Sequence, residues 1–143
     1  MIDKNVKVFG PSTIGLATLI GGGLVAGYMI SHNFKALGDA HKSKQMKLLW
    51  GILTLVQIIA IVQPQYFLLM VYLPIILLYP MLANAIVQRD QTKLIEENFE
   101  ENEQYSFLES AKVVLVCLAI VLPLSFLLRS LAMSLYLSLN NLQ

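Results

Sequence analysis

The sequence predicts an all-α integral membrane protein: four transmembrane helices, with a short acidic cytoplasmic helical loop between helices 3 and 4. Three observations carry that expectation. Four long apolar stretches fill most of the 143 residues, at roughly Val8 to Ser31, Leu48 to Val62, Tyr66 to Val87 and Val113 to Leu137. Hydrophobic residues make up 57% of the chain and charged residues 13%, where a soluble domain carries about 25% charged residues. Most of that charge lies between the stretches. A hydrocarbon core about 30 Å thick takes about 20 helical residues per span. The predicted spans are therefore about 10–31, 46–62, 66–88 and 112–137, within a single transmembrane domain, 1–143.

Composition narrows the function classes. A formal net charge of +1 makes no case for nucleic-acid binding. The lone cysteine, Cys117, lies inside an apolar run, so an internal disulfide is impossible and it reads as a small buried hydrophobe. The N-terminal apolar run is as long as a full span and leads into a chain that is itself apolar, so a cleavable signal peptide is not expected.

In the first stretch, Pro11 suits the first turn of a helix, where its missing N–H does no harm. Small residues recur four apart: Ala17 with Gly21, Thr18 with Gly22 and Ala26, Gly23 with Gly27. In lipid, helices associate where backbones approach closely. Gly15, Gly22, Gly23, Ala26 and Gly27 are therefore the candidate helix-packing residues, against another helix of the same chain or, alternatively, another subunit. Three consecutive glycines also permit a local break. The second stretch is short unless it recruits Gln45 to Lys47, and it carries Gln57 in its middle, an amide that needs a partner in hydrocarbon. Gln63-Pro64-Gln65 reads as a tight turn joining spans two and three. Span three holds Pro74 and Pro80, each able to kink it, with Asn84 near its far end. Span four holds Pro123, then Arg129, which is expected to snorkel to the far interface, and a stripe of Ser130, Ser134 and Ser138. Gln57, Asn84 and Arg129 are the candidate functional polar residues.

The first loop, His32 to Lys47, carries Lys35, Lys42, Lys44 and Lys47; the third, Gln88 to Lys112, carries Arg89, Lys93 and Lys112. Lys4 and Lys7 precede the first span. The expected alternation of spans then places seven Lys or Arg on one side and two on the other. The positive-inside bias assigns loops one and three to the cytoplasm and both termini to the outside. Loop three is acidic: Glu96, Glu97, Glu100, Glu101 and Glu103 form a candidate docking loop. Leu94, Ile95 and Phe99 suggest a short helix extending span three. Ser106 to Ser110 begins span four, with Glu109 in its first turn. The acids lack the Asp/Asn–Gly alternation of a calcium loop and read as a solvated face. His32 and His41 have no cysteine or paired carboxylate beside them, so no metal site is expected.

The segment Gly15 to Gly38 resembles a recurring opening in uncharacterised small bacterial membrane proteins. That group reads roughly Ala-Thr-Phe-Leu-Gly-Gly-Pro-Leu-Ala-Ala-Gly-Tyr and then Asn-Phe-x-Ala-Leu-Gly. Here Gly23 stands where proline is common, and the similarity runs through about Pro64. It implies a bacterial inner (cytoplasmic) membrane location and no known chemistry.

There is no nucleophile elbow, phosphate loop or paired His-Glu motif, so neither an enzyme nor a cofactor is expected. The expected partners are the lipid bilayer and either a second copy of the chain or another membrane protein. The expected function is non-enzymatic: a subunit of a membrane complex, or a defence or immunity-type membrane protein, acting through helix and loop contacts. The alternative is an oligomeric small channel or pore-forming effector.

Overall fold

The computed structural model describes residues 2–3, 5–62, 65–100 and 103–140, with side chains described outside 60–76, 136, 139 and 140. It contains α1 (Pro11–Ala36), α2 (Ala40–Val62), α3 (Gln65–Asp90), α4 (Thr92–Asn98) and α5 (Phe107–Asn140). Among the described residues there is no strand, and the only β pairing is an isolated parallel bridge between Val8 and Gln104. The all-α expectation holds. By length and composition, two helices among the described residues are apolar enough to cross a membrane, Pro11–Ala36 and Phe107–Leu135.

The first of these does not run straight. At Gly22 the backbone has φ 69° and ψ −157°, a region essentially confined to glycine. There α1 divides into two arms, 11–21 and 23–36. A straight helix would hold Phe9 and Asn33 about 36 Å apart at about 1.5 Å per residue. Instead the Phe9 N–H donates to Asn33 Oδ1 at 2.8 Å, and Asn33 Nδ2 donates to the Phe9 carbonyl at 2.8 Å. The arms therefore lie side by side as a helical hairpin with Gly22 at its tip. They rise about 16 Å and about 21 Å, each shorter than the roughly 30 Å hydrocarbon core. The expectation of one continuous helix over residues 10–31 is corrected: the glycine triplet supplies a reversal, not merely a kink.

The fold-back also moves the N-terminal segment. The Asp3 N–H donates to the Ala36 carbonyl at 2.8 Å, Val8 to Glu103 at 3.2 Å, and Tyr105 to Val8 at 2.8 Å. Residues 2–3 and 5–10 thus sit at the same end as the α1–α2 and α3–α5 connections, where the alternation of four spans had placed the N-terminal segment opposite.

The α1–α2 connection is shorter than the predicted loop His32 to Lys47. Gly38 takes φ 83°, its N–H bonds to Lys35 and that of Asp39 to Phe34, the paired bonds that end a helix in a left-handed residue. Asp39 Oδ1 then accepts from the Lys42 N–H at 2.8 Å, capping α2. So α2 starts at Ala40 rather than near 46, and Lys42, Lys44 and Lys47 ride on it. The predicted turn at Gln63-Pro64 lies outside the described residues. After α3, Gln91 departs from helical geometry (φ −125°, ψ −37°), so α4 is a separate helix and not an extension of span three. It buries Ile95 and Phe99 with Val8 and Ala36 in a small second core. Ser106 and Glu109 cap α5 reciprocally: the Ser106 N–H donates to Glu109 Oε2 at 2.8 Å and the Glu109 N–H to Ser106 Oγ at 3.3 Å. The hairpin packs against α2, α3 and α5, and its Ile14, Val25, Met29 and Ile30 are buried in the main core with Trp50 and Val87.

Gly22→Ala should cost about 1–3 kcal/mol, because alanine resists this backbone and its Cβ would lie 2.6 Å from Gln57 Oε1. Gly51→Ala meets no atom within 4 Å in the middle of α2 and should stabilise by up to about 1 kcal/mol. Thermal unfolding of both variants in one detergent measures the contrast.

Candidate functional site

Three of the small residues singled out from the sequence sit where α2 and α3 approach the hairpin. A Cβ on Gly15 would lie 3.9 Å from Asn84 Oδ1, one on Gly23 would lie 2.9 Å from Thr54 Oγ1, and one on Gly27 would lie 2.6 Å from Trp50 Cβ. Ala26 is fully buried. Gly22 is the exception, since it forms the reversal itself. All these contacts are internal to the chain.

Gln57 of α2 meets the hairpin tip. Its Oε1 accepts from the Gly23 N–H at 3.3 Å. The second arm begins at Gly23, so this is one of the N–H groups with no acceptor inside its own helix. A buried backbone N–H left without a partner is costly, and the amide of Gln57 supplies the partner at the reversal. Asn84 is exposed beside a groove lined by Ser12, Gly15, Leu16 and Pro80. Arg129 is exposed on α5 and makes no ion pair among the described residues. The structure does not bring these three together. Along their helices Asn84 lies about 9 Å before Asp90, Gln57 about 26 Å beyond Ala40, and Arg129 about 33 Å beyond Phe107. Other hydroxyls are also taken: Thr18 donates to Ile14, Ser31 to Tyr28, Thr54 to Trp50 and Ser125 to Val121, each to a carbonyl of its own helix.

The acidic loop is split in the same way. Glu96, Glu97 and Glu100 are exposed, and Lys93 lies 3.8 Å from Glu97. Glu103 Oε2 accepts from the Glu100 N–H at 2.8 Å. Glu101 lies outside the described residues. No group of three His, Cys, Asp or Glu among the described residues is placed to hold a metal ion.

The densest polar arrangement lies at the open end of the hairpin. Asn33 is fully buried. Besides its pair with Phe9, its Nδ2 lies 3.3 Å from Gln91 Oε1, and Gln91 Nε2 donates to the Ile30 carbonyl at 2.9 Å. Two buried amides thus tie the N-terminal segment, the second arm and the α3–α4 junction. Around them Phe9 stacks on Tyr105 at 4.3 Å, and the ring of His32 lies 5.4 Å from Phe9 and 6.0 Å from Tyr28. His32 Nε2 is 3.0 Å from the Lys7 carbonyl, and Lys7 pairs with Glu109 at 3.2 Å. Burial raises the Tyr105 hydroxyl above the usual tyrosine range, helped by Tyr28 and Glu109, so it stays a neutral phenol at ordinary pH. With its amide atoms engaged, the cluster works as a latch that holds the hairpin shut.

The latch role of Asn33 was missed in the sequence, as were Gln91, Phe9 and Tyr105. The available signal was Asn33 itself, a short amide too far inside an apolar face to be a solvated cap.

Asn33→Leu should strip the Phe9 N–H and carbonyl of their partners, at about 1–3 kcal/mol for each buried group. Thermal unfolding in detergent should show the loss, and tryptic cleavage after Lys7 should accelerate. Asn98→Leu, which removes an exposed bond to the Leu94 carbonyl, should leave both nearly unchanged. No family model, curated protein or solved structure matches the chain.

Proposed function

We propose that this chain is a non-enzymatic, multi-pass protein of a bacterial cytoplasmic membrane that serves as a docking subunit of a larger membrane complex. In this reading α2, α3 and α5 cross the bilayer, and the α1 hairpin enters and leaves from the cytoplasmic side. The carrying observation is the placement of the N-terminal segment. Once it joins the two connections at one end, eight of the nine described Lys and Arg residues fall on that face, with Arg129 the exception. That asymmetry is steeper than the seven-to-two division expected from four crossings, and it favours a cytoplasmic N-terminus and an external C-terminus. The resemblance of Gly15 to Gly38 to bacterial membrane proteins supports the same location.

Docking is favoured by α5. Its second half exposes Leu124, Phe126, Leu131, Met133, Leu135 and Leu137, an apolar length that the described remainder of the chain leaves uncovered. Ser130 and Ser134 are exposed on the stripe that admits close helix approach. The pore reading has less in its favour, because Gln57 is engaged with Gly23 and the other two polar residues lie at different depths.

Single cysteines at Asn5, Lys44 and Ser138, in a Cys117→Ser background, test the topology. Membrane-impermeant maleimide added to intact cells should label the Ser138 position alone, with the other two reacting only after permeabilisation; outside labelling at Asn5 would reinstate a first crossing. For the docking role, mass measurement of the detergent-extracted protein should find it with a foreign chain, whereas a closed ring of identical copies would favour the pore. Arg129→Lys should keep insertion and complex formation, since an ammonium snorkels to the same depth.

A further inference from the structure

We propose that the groove between the first arm of α1 and the start of α5 holds a phospholipid, its phosphate at the N-terminus of α1 and one acyl chain along Leu16, Ile20 and Val114. This rests on the reading that the chain lies in a bilayer. The groove has a volume of about 280 Å³ and is lined at its mouth by Ser12, Thr13 and Ser110 and further in by Leu16, Ile20 and Val114.

Two independent observations point to an occupant at the mouth. Ser110 is 2% exposed, yet its hydroxyl has no hydrogen-bond partner. The other buried helix hydroxyls return their proton to a carbonyl, on their own helix or, for Ser43, on a neighbouring one. A donor left bare in hydrocarbon is costly, and Ser110 lines this groove. Separately, α1 begins without a side-chain cap, and its first backbone bond joins Ile14 to Gly10. The N–H groups of Ser12 and Thr13 thus precede any intrahelical acceptor, and a helix start of this kind attracts phosphate. The nearest carboxylate, Glu109, is matched by Lys7 at 3.2 Å.

The order of chemistry along the groove selects the occupant. Donors stand at the end where α1 and α5 both begin, the end that carries the basic residues. From Ser12 to Ile20 the arm descends about 12 Å and becomes apolar. A free phosphate would leave that apolar length empty, and a diacylglycerol would leave the donors unmatched. A phospholipid meets both at the depth of its own headgroup.

The test uses the full chain, first confirmed in the membrane fraction, then extracted in dodecyl maltoside, stripped of lipid and titrated with dioleoyl phosphatidylglycerol under native mass spectrometry. One lipid should bind well above the rest. Ser110→Val should weaken it about tenfold, as expected for loss of a hydrogen bond to a charged group. Ala111→Trp, which fills the groove, should abolish it, while Leu115→Trp on the exposed face of α5 should not affect it. Dioleoylglycerol should bind at least tenfold more weakly. Equal binding of dioleoylglycerol, retention of the lipid by Ala111→Trp, or competition by inorganic phosphate alone would overturn the site. A wild-type chain in the membrane fraction that binds no lipid preferentially would overturn the site and leave the membrane reading standing. A chain absent from the membrane fraction would overturn both.

Discussion

The paired hydrogen bonds between Asn33 and the backbone of Phe9 are the constraint on which the remaining architecture depends. They join residues that a continuous helix would hold about 36 Å apart. Because they hold α1 closed, the N-terminal segment reaches Ala36, Glu103 and Tyr105, and α4 has an apolar surface to cover. Asn33 suits the task because a primary amide presents one acceptor and two donors. It can satisfy the N–H and carbonyl of the same residue and still reach Gln91. In an apolar surrounding each of those bonds counts for more than in water, and each would be costly to leave unmade.

The two ends of the hairpin solve the same problem with the same chemistry. At the tip, the reversal leaves helix-terminal N–H groups inside protein, and Gln57 meets one of them. At the open end, Asn33 and Gln91 meet the backbone of Phe9 and Ile30. Amides do this without charge, so a folded-back segment need not carry an ionised group into an apolar interior. Ionisable side chains are correspondingly found at the rims, as with Lys7 and Glu109, or with Arg89, whose hydrogen bond holds the Asp90 carboxyl below the usual range.

This division of labour gives the molecule two different surfaces. The hairpin side is packed on three helices, and amides meet its backbone at the reversal and at the latch. The second half of α5 is the reverse, a helix with an exposed apolar flank.

The sequence by itself determined the all-helical class, the apolar character of the first and last long helices and the place of Glu109 in the first turn of the last one. These depend on local composition, spacing and side-chain size, which the chain carries whatever its neighbours do. It also marked the glycine triplet as a place where a helix can break. Only the tertiary structure decided that Gly22 reverses the chain, that Asn33 is a latch, and that α4 folds under the N-terminal segment. Hydropathy measures the length of an apolar run and carries no direction, so two half-helices side by side read the same as one span. The deciding contacts link Phe9 with Asn33 and Val8 with Glu103, pairs far apart in sequence whose partnership exists only once the hairpin has closed.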